Sequence, residues 1–477
     1  MLLGTLITII TIGLFLTVKS DIVKIKELNN NILIGKKFSD EDNWWKTATV
    51  YQIYPRSFKD SNNDGIGDLA GIIEKLDYIE TLGVDAIWLS PIFKSPQVDQ
   101  GYDISDFRDI DPDYGTLDDF TTLIEEAHKK SIKVVLDFVP NHTSDQHEWF
   151  QKSVNLVDGY EDYYIWADGT MSQNGTRIPP NNWDVLTFWL DTHDLDGARI
   201  DAIPHLVEDV NLTDEPLSND PGYTEIDYEY LDHIYTKDQP ETFEIVYDWR
   251  THLDNITNTK QVSTRIFMTE AASSIEEVIK YYGTPDGSKL GAHFSFNFYF
   301  LGLDESSTAV DIANDINEWI ASKVGKEKID GLNMLVAFLP GVQITYNGEE
   351  IGMENGEVTC EQGQDGSAIK DNCTHYESSS RDYERTPFQW NDSENAGFNS
   401  GHKTWLPVSS KYKECNVADQ LAKDKSHLKI YIELQKLRAN LVDQDQLIIR
   451  YPRENDKYLL QITRFNIVSS YNFSNVY

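Results

Sequence analysis

Seven short apolar runs, set between stretches of helical periodicity, limit this 477-residue chain to few architectures. They are ATVYQIYP (48 to 55), AIWLS (86 to 90), KVVLDFV (133 to 139), GARID (197 to 201), RIFMTE (265 to 270), AHFSF (292 to 296) and VQITY (342 to 346). Continuous apolar runs of this length are the signature of strands covered on both faces. Between them, GIIEKLDYIETLG (71 to 83), DDFTTLIEEAHKKS (118 to 131) and DGLNMLVAFLPG (330 to 341) carry helical patterns. Strands alternating with helices imply a parallel sheet. With polar residues gathered at one end of the strands, the expected fold class is α/β, a (β/α)8 TIM-type barrel. Only helical patterns occur between residues 296 and 342, so the count stops at seven and the seventh barrel strand is expected to be missing. After a last helix, SHLKIYIELQKLRANL (426 to 441), the runs QLIIRY (446 to 451) and YLLQITRF (458 to 465) predict a small terminal sheet.

Two of the strand runs end on carboxylates, Asp201 and Glu270. Retaining sugar hydrolysis uses an ionised carboxylate as nucleophile and a protonated carboxyl as general acid, roughly 5 to 5.5 Å apart. Arg199, two residues before Asp201, lies on the same strand face and is expected to keep that nucleophile charged. Either acid taken alone reads equally well as a strand terminator or the cap of a following helix.

The net charge is −38, from 41 basic and 79 acidic residues, which repels nucleic acid and anionic membranes. Leu2 to Val18 is a near-continuous apolar run followed by Val18-Lys19-Ser20, the pattern of a secretory signal cleaved after Ser20. The alternative is an uncleaved membrane anchor over Leu2 to Val18. The basic residues Lys19, Lys24 and Lys26 follow the run and favour cleavage. Secretion agrees with sequons at Asn141, Asn174, Asn211, Asn255, Asn372, Asn391 and Asn472, of which Asn174, Asn211, Asn255 and Asn372 are the expected glycosylation sites. Cys360 and Cys373 flank a polar loop and are candidates for a local disulfide, leaving Cys415 unpaired.

Eight motifs in order then resemble the α-amylase family of glycoside hydrolases, most closely its insect maltase branch of secreted α-glucosidases. They are YQIYPRSF (51 to 58), GVDAIWLSPIF (83 to 93), DQGYDISDF (99 to 107), DFVPNHTS (137 to 144), DGARIDA (196 to 202), FMTEA (267 to 271), GVQITYNGEEIGM (341 to 353) and SRDYERTPFQW (380 to 390). The resemblance implies that Asp201 is the nucleophile, oriented by Arg199, and Glu270 the acid/base. It implies that Tyr102 and Asp103 hold the non-reducing glucose, that His142 binds its hydroxyls, and that Asp137 and Asn141 support that wall, which would leave the Asn141 sequon unmodified. The loop DSNNDGIGD (60 to 68) sets Asp60, Asn62, Asp64 and Asp68 around Gly65. Calcium loops have this oxygen-rich character, similar members of the family bind calcium here, and a metal-free Asx-turn loop is the alternative the residues leave open.

The resemblance also divides the chain: 1–20 signal peptide, 21–42 leader, 43–140 first part of the catalytic barrel, 141–183 a truncated inserted domain, 184–441 second part of the barrel, and 442–477 a partial C-terminal β domain. Three departures stand out. The Asn-His-Asp motif bearing the family's third carboxylate is absent, INEWIASKVGKEKIDGLNM (316 to 334) running past its place. PNNWDVLTFWLD (180 to 191) leads straight from the inserted domain towards strand four, without the domain's latter half and its Gln-Pro-Asp-Leu-Asn stretch. The terminal sheet is short. Two clean gaps are expected to reflect a splice variant or an incomplete gene model. The expected activity is a secreted retaining exo-α-glucosidase acting on maltose, sucrose or short maltooligosaccharides, impaired by the gaps, with no nucleic acid or obligate protein partner. The competing expectation is a non-catalytic sugar-binding, receptor-like or transporter-heavy-subunit-like ectodomain.

Overall fold

Short apolar segments give short strands: β1 (Thr49–Ile53), β2 (Ala86–Leu89), β3 (Phe93–Lys94), β4 (Asp106–Ile110), β5 (Lys133–Phe138), β6 (Gly197–Ile200), β7 (Ile266–Thr269), β8 (Phe294–Ser295) and β9 (Gln343–Tyr346). The computed structural model describes residues 41–161, 163–164, 188–209, 213–221, 223, 228–296, 298, 336–339, 341–369, 373, 376–401, 403–439, 447–450, 459–464 and 467–472. Seven strands pair in parallel in the order β8-β7-β6-β5-β2-β1-β9, a curled sheet forming part of a TIM barrel. Each of the seven predicted runs supplies one of them. Every residue of β2, β6 and β7 is buried, as strands covered on both faces require. Among the described residues β8 and β9 are the two edges of the sheet. The expected absence of a further strand concerns 297 to 341, of which 297, 299–335 and 340 lie outside the described residues.

The helices follow their caps. Leu117–Lys129 begins at Thr116, which forms a capping box with Asp119, and it buries Phe120, Leu123, Ile124 and Ala127 at helical spacing. Pro240–Lys260 starts on proline, where no backbone donor is lost to the helix. The single helix expected over 71 to 83 is two, Leu69–Glu74 and Leu76–Leu82, because Lys75 leaves helical geometry (φ −105°, ψ 5°). Gly197 opens β6 where a Cβ would stand 2.5 Å from the Ile266 carbonyl oxygen, so the β6–β7 approach needs glycine. Strand and helix faces share one apolar core, including Tyr51, Ile53, Leu89, Leu136, Ile200 and Phe267.

Near the C-terminus, β10 (Leu447–Arg450), β11 (Leu459–Arg464) and β12 (Ile467–Asn472) form an antiparallel sheet. The first two strands were expected and the third was not. Cys360 and Cys373 are bonded, with Cα atoms 5.9 Å apart, and Cys415 is free. Asn255 is exposed on its helix, while Asn174, Asn211 and Asn372 lie outside the described residues. So does the Leu2 to Val18 run; no helix among the described residues is long and apolar enough to cross a membrane.

Candidate active site

Register decides which side chains meet. Asp137 on β5 pairs with Arg199 on β6, so both point to the same face. Ile200 pairs with Thr269, which makes the next residues, Asp201 and Glu270, neighbours at the C-terminal ends of β6 and β7. Their amides continue the ladder, Asp201 N–H donating to the Phe138 carbonyl (2.9 Å) and Glu270 N–H to that of Ile200 (2.9 Å).

Arg199 is the hub. Its Nη1 lies 2.6 Å from Asp137 Oδ1 and 2.6 Å from Asp201 Oδ1, and its Nη2 lies 2.8 Å from Glu270 Oε2. The guanidinium sits over the Trp88 ring (5.1 Å) and near Phe296 (5.8 Å), aromatic faces that favour a cation. Ala202, just past the nucleophile candidate, adopts a left-handed conformation (φ 44°), a strain that costs a non-glycine residue about 1 kcal/mol or more. That turn aims the Ala202 N–H at Glu270 Oε2, 3.0 Å away.

Three carboxylates share one guanidinium, and its charge does not cover all of them. Burial pushes Asp201 up to about 8 and Asp137 up to about 6, against the opposing pull of Arg199; the charge and hydrogen-bonding contact of Glu270 raise Asp201 further. The expected pull of Arg199 towards an ionised Asp201 is present, and burial opposes it. Desolvation outweighs an arginine whose charge is divided three ways.

Beside this cluster, at the C-terminal ends of β1, β2 and β9, lies a cavity of about 200 Å³ lined by Gln52, Tyr54, Ser90, Tyr102, Tyr346, Glu384 and Arg385. Tyr102 joins cavity to carboxylates, its hydroxyl donating to Asp137 Oδ2 (3.2 Å). His142 is exposed, with Nε2 3.2 Å from the Tyr102 carbonyl, and Asn141 Nδ2 lies 3.5 Å from His142 Nδ1. Asp103 also organises its own loop. Its oxygens accept from Ser95 Oγ (2.8 Å), Val98 N (2.9 Å) and Asp99 N (3.0 Å), folding the loop that presents Tyr102. Sequence reasoning assigned no role to Gln52, Tyr54, Tyr346, Glu384 or Arg385, although all lie in motifs it had singled out. A second cavity, of about 210 Å³, lies at the other end of the strands. There Asp196 already bridges His128 (2.7 Å) and Lys133 (2.9 Å).

The Asp60 loop is a chain of Asx turns. Asp60 Oδ1 accepts from Asn62 N and Asn63 N, Asn62 Oδ1 from Asp64 N, and Asp64 Oδ1 from Ile66 N. Asp60 Oδ2 accepts from Gly65 N, and Asp68 caps the next helix through Gly71 N. Asn399 Nδ2 also donates to Asp60 Oδ2 (2.7 Å), which fills the lone pairs of Asp60, and Ser61 N donates to Asp68 Oδ2 (2.9 Å), so the oxygen lone pairs left to suit a hard cation such as calcium are on Asn62, Asp64 and Asp68. Among the described residues no group of three or more His, Cys, Asp and Glu side chains is drawn together around a metal position.

The family model of the α-amylase catalytic domain matches residues 52–186, 183–328 and 316–445, three pieces whose junctions fall where the sequence departs from the family. Maltase 1 of Drosophila virilis is 43% identical over 477 aligned positions, covering 86% of this chain and 74% of its own. The alignment is longer than the part of this chain it uses, so the maltase carries residues where this chain has gaps. A salivary α-glucosidase of Anopheles gambiae is 39% identical, covering 85% of this chain and 80% of its own. Among solved structures, the α-glucosyl transfer enzyme XgtA superposes with a TM-score of 0.76 at 29% identity, covering 90% of this chain and 91% of its own.

Proposed function

From the premise that this chain belongs to the α-amylase family of glycoside hydrolases, at about 40% identity to insect maltases, we propose that it is a retaining exo-α-glucosidase. The observation that carries the reading is the three-carboxylate clasp on Arg199, in which Asp201 and Glu270 sit side by side at adjacent strand ends. Asp201 attacks the anomeric carbon of the terminal glucose while Glu270 gives its proton to the leaving oxygen. Glu270 then takes a proton from water as that water releases the glycosyl–Asp201 ester. Two inversions leave the α configuration intact. Arg199 moves no proton; it holds both carboxylates in line and stabilises whichever is charged.

The terminal glucose is read into the cavity of about 200 Å³ beside the carboxylates. Arg385 offers donors to its hydroxyls, the Tyr102 oxygen an acceptor, and exposed His142 stands at its margin. Maltose, sucrose and short maltooligosaccharides are the proposed substrates, and secretion the proposed destination, supported by the salivary α-glucosidases of two mosquitoes. A structural calcium at the Asp60 loop, held by Asn62, Asp64 and Asp68, belongs to the same proposal. So does impaired turnover, supported by the three-piece family match. The test is glucose release from maltose by the purified chain beside Asp201→Asn. Release that the variant matches would refute the reading.

A further inference from the structure

We propose that Asp382 and Gln100 are positioning residues for the sugar cavity, forming a buried relay that carries order from the Cys360–Cys373 loop to the Arg385 guanidinium. The inference rests on the reading of that cavity as the glucose site. Asp382 is fully buried, and its carboxylate accepts four hydrogen bonds. Three come from the disulfide-closed region onto Oδ2: Gln364 N (2.7 Å), Asp365 N (2.9 Å) and Tyr376 Oη (2.7 Å). The fourth reaches out of it, Gln100 Nε2 donating to Oδ1 at 2.8 Å.

Gln100 is the switch of polarity in this chain of contacts. A carboxylate only accepts, so Asp382 fixes the Gln100 amide with its NH₂ inward and its Oε1 outward. That oxygen accepts from Arg385 Nη1, and the guanidinium lies over Tyr54 at 4.9 Å, both residues lining the cavity. With Asp382 gone, the amide is free to turn and present donors to an arginine that only donates. A parallel tie runs alongside: buried Asp365 accepts from Arg381 Nε (2.9 Å), and Arg381 Nη2 reaches Asp99 Oδ1 (2.6 Å). Asp99 and Gln100 precede Tyr102 in one loop, so both ties hold the wall that carries Tyr102. Neither Asp382 nor Gln100 lines the cavity.

The experiment measures glucose and maltose affinity by calorimetry for the parent, Gln100→Ala, Asp382→Asn, the double variant and Arg385→Ala, with melting temperature and, where turnover is measurable, kcat and KM. Gln100→Ala should weaken binding roughly tenfold, the size of one hydrogen bond to a charged group. It should raise KM with kcat retained, and the double variant should bind no worse than the weaker single variant. Arg385→Ala losing sugar while Gln100→Ala and Asp382→Asn bind like the parent overturns the relay and leaves the cavity reading standing. Independent, multiplying effects of the two variants also overturn it. Unchanged binding in Arg385→Ala, or a parent that binds neither sugar, overturns both.

Discussion

Arg199 Nη1 and Asp201 Oδ1 stand 2.6 Å apart, and still Asp201 is pushed from the ordinary carboxylate value of 3.8 up to about 8. The consequence for stability has a definite sign. Between pH 4 and 8 the folded chain keeps a proton that the unfolded chain has released, so stability declines as pH rises through that window, by about 1.4 kcal/mol per unit for one full proton. The contribution is complete below the unfolded value near 4 and gone above the folded value near 8.

Asp201→Asn removes this titration. Unfolding measured in urea from pH 5 to 8 should show the variant gaining on the parent by about 4 kcal/mol across the range. A difference that stays flat with pH would mean that Asp201 is ionised throughout, as Arg199 alone would have it.

In catalysis Asp201 must be ionised to attack. Any hydrolysis by this chain should therefore rise with pH up to about 8, as the Asp201 carboxyl gives up its proton. Asp201→Asn should cost a factor on the order of 10⁴, and Glu270→Gln should lose the proton donor to the leaving oxygen, with turnover falling roughly 100-fold or more. Freshly released glucose followed by NMR should be the α anomer; β-glucose as first product contradicts a double displacement at Asp201.

All seven strands of the main sheet were legible because short apolar runs alternating with helical patterns are what a parallel sheet covered by helices leaves in a sequence. The two carboxylates were legible as strand-end residues, and register then made them neighbours. Their proton balance was not, since it depends on Asp137 arriving from β5 to claim part of Arg199, a contact across 62 residues. The local part played by Asp103 was not legible either: Ser95, Val98 and Asp99 donate to its oxygens and fold the loop ahead of Tyr102. Arg385 and Glu384 were inside a recognised motif, but their place at the cavity needs a loop to fold back more than 280 residues beyond Gln100.

The Asp60 loop offers a separable test. Its Asx turns hold the backbone, and a calcium ion bound to the remaining lone pairs would add to stability by mass action. Chelation of metal-loaded protein should lower Tm by a few degrees, and Asp64→Ala should abolish that response. An unchanged Tm on chelation leaves the loop as a metal-free Asx-turn structure.

The largest effect should come from what the chain lacks. The sequence carries no Asn-His-Asp motif between 296 and 342, and the family match breaks there, at 316–328. Losing one preorganised transition-state contact costs roughly 100 to 1,000-fold in turnover. A second cost is expected from the absent segment itself, because a barrel positions its catalytic groups only when its strands close in register. A shift near 1 Å in the strand ends bearing Asp201 and Glu270 is itself worth roughly 100-fold. Both together bring glucose release close to the detection limit while sugar binding at the Tyr102 and Arg385 wall, built on β1, β2 and β9, is retained. Grafting the corresponding segment of an active maltase between residues 296 and 342 should raise release per folded molecule by roughly 100-fold or more, with affinity for glucose little changed. Equal rates in the grafted and parent chains would show that the missing segment is dispensable to the chemistry.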